Sequence, residues 1–274
     1  MRCRHRWTRG LLLGLCLSAS AAAQDGKGAE AALRVAIPTL PPWSYYDADC
    51  RHTGIAIENL RRWAARAGVP IVTVPMPLES TESALQAADI DLFLGDERLN
   101  GPLSRSIAQP LGYVVETVAI SAAVREGRPP APRRDLRVGA RTRGMAAAAG
   151  FGDADIREGE VSTTLAGAYV RGELDVLVGG REVLYFALLR RGVPVTELRE
   201  QTALLGSRTV SYRLFPAAEA RWGERLRAGA QAFDWKRSDA QLRQRFLSAD
   251  SVRGQRDAAS CERDVRFPEA RSNP

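Results

Sequence analysis

Residues 33–60, LRVAIPTLPPWSYYDADCRHTGIAIENL, run from a short apolar strand through an aromatic, proline-rich loop into an amphipathic helix opened by a glycine. Leu33 to Ile37 forms the strand. Ile55 to Ala67 sets Leu60, Trp63 and Ala64 on one helical face, and Gly68 and Pro70 stop the helix. A strand, loop and helix of this kind builds the rim of a ligand cleft at the carboxyl end of a parallel sheet.

Outward from this unit the chain keeps alternating. Ile71 to Val74 reads as a strand, Ser80 to Ala88 as a helix opened by a capping box at Ser80 and Ser83 near Glu79 and Glu82, and Ile90 to Leu94 as a buried strand. The alternation predicts a parallel sheet covered on both faces. Residues 125–134, REGRPPAPRR, form a basic proline-rich loop that cannot continue a sheet. The pattern then restarts with a strand at Leu136 to Ala140, a turn at Thr142-Arg143-Gly144 into a helix, a helix at Ser162 to Arg171, a strand at Leu174 to Val178 and a helix at Val183 to Arg191. Val210 to Phe215 reads as a strand leading back out. The closing helices, Ala220 to Phe233 and Ser238 to Phe246, carry Trp222, Leu226, Phe233, Leu242 and Phe246 at helical spacing, as core residues do.

At the amino end, Arg2, Arg4, Arg6 and Arg9 precede an apolar run from Leu11 to Leu17 and the small residues Ala21-Ala22-Ala23. This is the pattern of a cleavable secretory signal over residues 1–23, too short for an ordinary bilayer span. Removing it lowers the formal charge from +7 to about +3, which gives no support to a nucleic-acid partner. Two cysteines then remain, Cys50 and Cys261, and in an oxidising compartment they most simply pair. The bridge closes a loop worth about 5 kcal/mol in the chain-entropy model and brings the tail back to the first loop. His52 is the one histidine left, so no multi-histidine metal site is expected, nor any cofactor.

The order of the segments resembles the periplasmic solute-binding proteins of the polar amino-acid uptake type, the family 3 extracellular solute-binding proteins. The resemblance is carried by residues 33–60 together with DIDLFLGDER (89–98), SIAQPLGYVVETVAISAA (106–123), DLRVGARTRG (135–144), YVRGELDVLVGG (169–180) and VSYRLFPAAEARWGERLRAGAQAFD (210–234). It implies an α/β, two-lobed periplasmic-binding-protein-like fold of type II with two hinge crossings. Lobe 1 would comprise residues 24–120 plus 208–250, lobe 2 residues 121–207, and a tail residues 251–274. The hinges fall near Glu116 to Ser121 and Leu205 to Ser211.

On this resemblance Trp43, Tyr45 and Tyr46 are the aromatics of the first cleft loop, offering apolar contact or a face for a cation. Thr142 and Arg143 stand at a helix N-terminus that suits a carboxylate. Relatives clamp the ligand carboxylate with an arginine near GDERLNGPLSRSIAQP, where Arg98 and Arg105 both sit off the usual spacing. Relatives also hold the ligand ammonium with an aspartate five residues beyond the one matched by Asp175, and that position here is Gly180. Glu182, Asp96 or Glu97 would have to replace it, whereas Arg181 favours an acidic solute lacking an amine. A buried ammonium without its carboxylate is costly, so an ordinary α-amino acid is a poor candidate ligand.

The leading expectation is a non-enzymatic, monomeric periplasmic protein that captures a small polar or anionic solute. It would deliver that solute to an inner-membrane ABC permease or meet a periplasmic partner protein. An accessory protein of a periplasmic quinoprotein enzyme system is the alternative, which a cleft filled by bulky side chains would favour. A cyclohexadienyl-dehydratase-like enzyme is a further alternative, with Glu97 or Glu182 as its acid or base.

Overall fold

The computed structural model describes residues 31–76, 82–96, 105–106, 112–122, 126–127, 132–198, 200, 206–248 and 261. The signal-like residues 1–23, Arg98, Glu97 and the start of the expected capping box lie outside them.

The chain opens with β1 (Leu33–Pro38), a small hairpin of β2 (Tyr45–Tyr46) and β3 (His52–Thr53), α1 (Ile55–Ala67), β4 (Ile71–Met76), α2 (Glu82–Ala87) and β5 (Leu92–Asp96). β6 (Arg105–Ser106) and the long β7 (Gly112–Ser121) follow. The second half holds β8 (Arg137–Ala140), α3 (Arg143–Ala148), β9 (Asp155–Glu158), a π-helical turn (Val161–Leu165) running into α4 (Ala166–Val170), β10 (Val176–Gly180) and α5 (Arg181–Leu189). It closes with β11 (Gly206–Leu214), α6 (Pro216–Gln231) and α7 (Trp235–Phe246). Among the described residues no helix is long and apolar enough to cross a membrane.

One sheet takes in all but the hairpin strands, in the order β4-β1-β5-β11-β7-β10-β8-β9, with β6 also paired to β11. Two parallel trios, β4-β1-β5 and β10-β8-β9, are joined through β11 and β7, which run antiparallel to each other and to their outer neighbours. The sheet is therefore mixed, not purely parallel as the alternation alone predicts. The residues read as hinge segments lie within the long strands β7 and β11, except Leu205, which is outside the described residues, and the sequence carries no clear strand signal for β7. Its sequence GYVVETVAIS lacks the clean period of two that marks a one-faced strand.

Both trios use the same fastening. The backbone N–H of Arg34 donates to the Asp91 carboxylate at 2.8 Å, and that of Arg137 donates to the Asp175 carboxylate at 2.9 Å. The Arg137 guanidinium also binds Asp175 through Nε at 3.0 Å and Nη2 at 2.9 Å. Asp175, read from the sequence as a family landmark, thus fixes the register of β8 against β10.

Because side chains alternate across a strand, each apolar run feeds two cores. Leu33, Val35 and Ile37 enter the largest core while Ala36 enters another, and Leu177 is separated in the same way from Val176 and Val178. The largest core is continuous from Trp63 of α1 and Trp222 of α6 to Tyr169 of α4 and Phe186 of α5. Trp222, Leu226, Leu242 and Phe246 are buried as expected, whereas Phe233 is only partly covered.

The aromatic loop doubles as the cap of α1. The helix has no side-chain cap, and its first amides, of Ile55 and Ala56, donate to the carbonyls of Pro42 and Trp43, each at 2.9 Å. This approach requires Gly54: its φ is 130°, and a Cβ there would lie 2.5 Å from the Trp43 carbonyl oxygen.

Candidate functional site

The structure brings two of the sequence candidates, Trp43 and Glu182, together around a residue that the sequence reading passed over, Arg243 on α7. Trp43 and Tyr45 leave the first loop pointing inward and are 5% and 3% exposed. Tyr45 packs on Phe186 of α5 at 5.3 Å and on Phe246 of α7 at 6.1 Å between ring centroids. Burial, reinforced by Asp47, pushes its phenol up to about 12. Trp43 meets Tyr113 edge-on at 4.7 Å, and the Arg243 guanidinium lies over its indole at 4.9 Å. The aromatic face offered to a cation is therefore covered by the chain's own cation.

Arg243 also pairs with Glu182, which opens α5 and is buried, and its Nε binds Asp239 at 2.7 Å. Burial opposes the Arg243 charge, yet the Glu182 and Asp239 carboxylates outweigh it and hold its pKa above the usual arginine range. Two buried polar atoms here have no hydrogen-bond partner among the described residues: Glu182 Oε2 and Trp43 Nε1. Behind them, Asn59 of α1 is fully buried, donates to the Tyr113 hydroxyl at 3.2 Å and accepts from Ser238 at 2.5 Å.

A groove of about 800 Å³ lies beside this cluster, between the start of β7, α5 and α7. Its charged wall includes Glu116, Arg181, Glu182, Asp239 and Arg243. Arg181 is gripped on two sides, by Glu116 of β7 and by Glu200, whose carboxylate it meets through Nε at 2.6 Å and Nη2 at 2.8 Å. The Arg181 hydrogen bond lowers the pKa of Glu200, and Tyr185 adds a donor at 2.9 Å. Burial, then that bond to Glu200, raises Tyr185 to about 12. Arg181 is thus fully engaged within the chain.

In the second half Thr142 caps α3, its hydroxyl accepting from the Met145 amide at 3.2 Å. The Arg143 amide at the same helix end donates to the carboxylate of Glu158 from β9. The seat proposed for a ligand carboxylate already holds one supplied by the chain. Tyr46 is half-buried beside His52 at 5.4 Å. Of the remaining candidates, Asp96 ends β5 with its backbone opposite Val210, and Arg105 lies in β6 opposite Leu214. Arg98 lies outside the described residues.

Cys50 and Cys261 are joined, with Cα atoms 5.3 Å apart. No group of three or more potential metal ligands occurs among the described residues.

The segment from β1 to β5, whose first loop caps α1, is also the part of the chain that matches a known family. Residues 33–100 match the bacterial extracellular solute-binding proteins, family 3. This is the family the sequence resembles. No curated protein matches the chain. Solved family-like domains share its fold. Substrate-binding domain 2 of GlnP from Lactococcus lactis, in an open conformation, is 11% identical with a TM-score of 0.60 over 80% of this chain and 96% of that one. A second substrate-binding domain assigned to an amino acid ABC transporter of Streptococcus pneumoniae is 13% identical, with a TM-score of 0.59 over 80% and 100%. The ancestral amino-acid-binding protein AncCDT-1, a precursor of cyclohexadienyl dehydratase, is 16% identical, with a TM-score of 0.59 over 79% and 96%. At these identities the likeness establishes the fold: mixed α/β, of the type II periplasmic-binding-protein kind.

Proposed function

We propose that this chain is a periplasmic solute-binding protein that closes two lobes over a small polar or anionic solute other than an ordinary α-amino acid, and presents it to an ABC-type permease. The family 3 match over residues 33–100, on a type II fold, supports the solute-binding role. The lobes would be residues 24–120 plus 208–250 and residues 121–207, with β7 and β11 as the two crossings. A solute that contacts both lobes binds the closed form better and shifts the population toward it.

The ligand class is argued from charge pairing. In this chain Glu158 covers the α3 N-terminus, Glu116 and Glu200 hold Arg181, and Arg243 covers both Glu182 and Trp43. A zwitterion would have to displace several of these pairs, so a solute with fewer formal charges, or one meeting other parts of the cleft, fits better. The same internal pairing, with Tyr45 wedged on Phe186, gives the accessory reading its one specific support.

A thermal-shift screen of the mature protein against amino acids, organic acids and aromatic acids tests the proposal. Solute at 100 times Kd adds about 2.7 kcal/mol of stability. Stabilisation by an organic acid and none by amino acids is the expected result. Stabilisation by an α-amino acid would overturn the ligand class. No hit, with a stable partner protein in pull-downs, would replace transport by the accessory role, and turnover of prephenate would establish an enzyme.

A further inference from the structure

A second concave surface lies between α1, the end of α6 and the start of α7. It has a volume of about 580 Å³, within the range of small-molecule sites. Phe233, which lies between α6 and α7 and is only partly covered by the core, contributes its apolar wall. Three arginines converge on it: Arg62 and Arg66 from α1 and Arg237 from α7.

None of the three has a carboxylate ion-pair partner among the described residues, although they stand around one concavity. Arg51, Arg61, Arg137, Arg157, Arg171, Arg181, Arg227 and Arg243 all pair with an acid. In the groove, Arg62 is steadied by neutral groups, through Ser238 Oγ at 3.1 Å and Gln241 Oε1 at 3.5 Å, and Arg66 and Arg237 have no ion-pair partner among the described residues. Asp234 also lines the groove, but one of its carboxylate oxygens accepts the Arg237 amide as the cap of α7. The concavity therefore carries a net positive charge against a partly exposed aromatic ring.

We infer that this groove is a binding site for a small aromatic or apolar-bodied oxyanion, an organic dicarboxylate or phosphate ester, separate from the cluster at Trp43 and Glu182. Guanidinium forks match carboxylate and phosphate oxygens in pairs, and Phe233 supplies contact for the organic body. The inference does not depend on the transport reading.

Calorimetric titration of the mature protein with isophthalate and with phenyl phosphate, and with benzamide as the neutral control, tests it. At low salt both anions bind, benzamide does not, and affinity falls as ionic strength rises. The double variant Arg66→Glu, Arg237→Glu, at two exposed positions, weakens both anions by about tenfold or more. If neither anion binds at millimolar concentration, or if both bind the variant as well as the wild type, the site is refuted. Chemical-shift changes at Phe233 and Arg62 amides separate this groove from the Trp43 cluster, and changes confined to that cluster would also refute it.

Discussion

The Arg243 guanidinium is stacked 4.9 Å above the Trp43 indole while it pairs with the buried Glu182. One cation from α7 thus joins the first loop to α5, the helix that follows β10. Removing it leaves a buried carboxylate uncompensated. Arg243→Ala is expected to lower stability by about 3 kcal/mol, the lower end for a broken buried pair because the arginine is partly exposed. The double variant Arg243→Met, Glu182→Gln should recover much of that loss. Urea denaturation of wild type, Arg243→Met, Glu182→Gln and the double variant checks this, and an additive double variant would disprove the coupling.

Gly54→Ala should be among the most damaging single substitutions. Its φ of 130° suits glycine alone, and the added Cβ would strike the backbone carbonyls of Trp43 and Pro42 at 2.5 and 2.8 Å. The expected cost is about 3 kcal/mol or more, by backbone strain and loss of the α1 cap. Gly127→Ala, where a Cβ would meet nothing within 4 Å, provides the comparison for a positive-φ site without a clash. Melting temperatures of the two variants should differ clearly.

His52 should make the protein acid-sensitive. Burial, and secondarily the nearby Arg61, lowers its pKa from 6.5 to about 4, and its Nε2 lies 2.6 Å from the Ser44 hydroxyl. Between those values the unfolded chain binds more protons than the folded one, so stability falls as pH drops from about 6.5 toward 4. The full shift corresponds to about 3 kcal/mol. His52→Gln should flatten that part of the stability profile measured by denaturation at successive pH values; an unchanged slope would assign the effect to other groups.

The bridge between Cys50 and Cys261 spans 211 residues. Its loss in Cys261→Ser should cost about 5 kcal/mol in the chain-entropy model, a large share of a typical domain's stability. Thiol counting under denaturing conditions should find neither cysteine free in the wild type, and a melting temperature insensitive to reductant would contradict the stabilising role.

Much of the architecture was legible because it rests on local pattern. The α1 boundaries, its buried Leu60, Trp63 and Ala64, and the apolar strands of both trios follow from spacing and from glycine and proline punctuation. The cysteine pairing was legible because only two remain beyond the signal-like segment. The short β9, Asp155–Glu158, was not, since only Ile156 is buried and its neighbours are charged. The role of Arg243 was equally hidden: nothing in a helix with eight polar residues among its twelve marks one arginine as the partner of a glutamate 61 positions earlier.

The order of residues by itself determined where the chain alternates strand and helix, which family it resembles, and that Gly180 stands where a ligand carboxylate was expected. Only the tertiary structure decided that Trp43, Glu182, Arg181 and the Arg143 amide are already matched by Arg243, Glu116, Glu200 and Glu158. Charge pairing across a fold depends on distances of a few ångströms between residues tens of positions apart. Local periodicity carries no record of those distances, whereas packing two sheet halves around one continuous core sets them all at once.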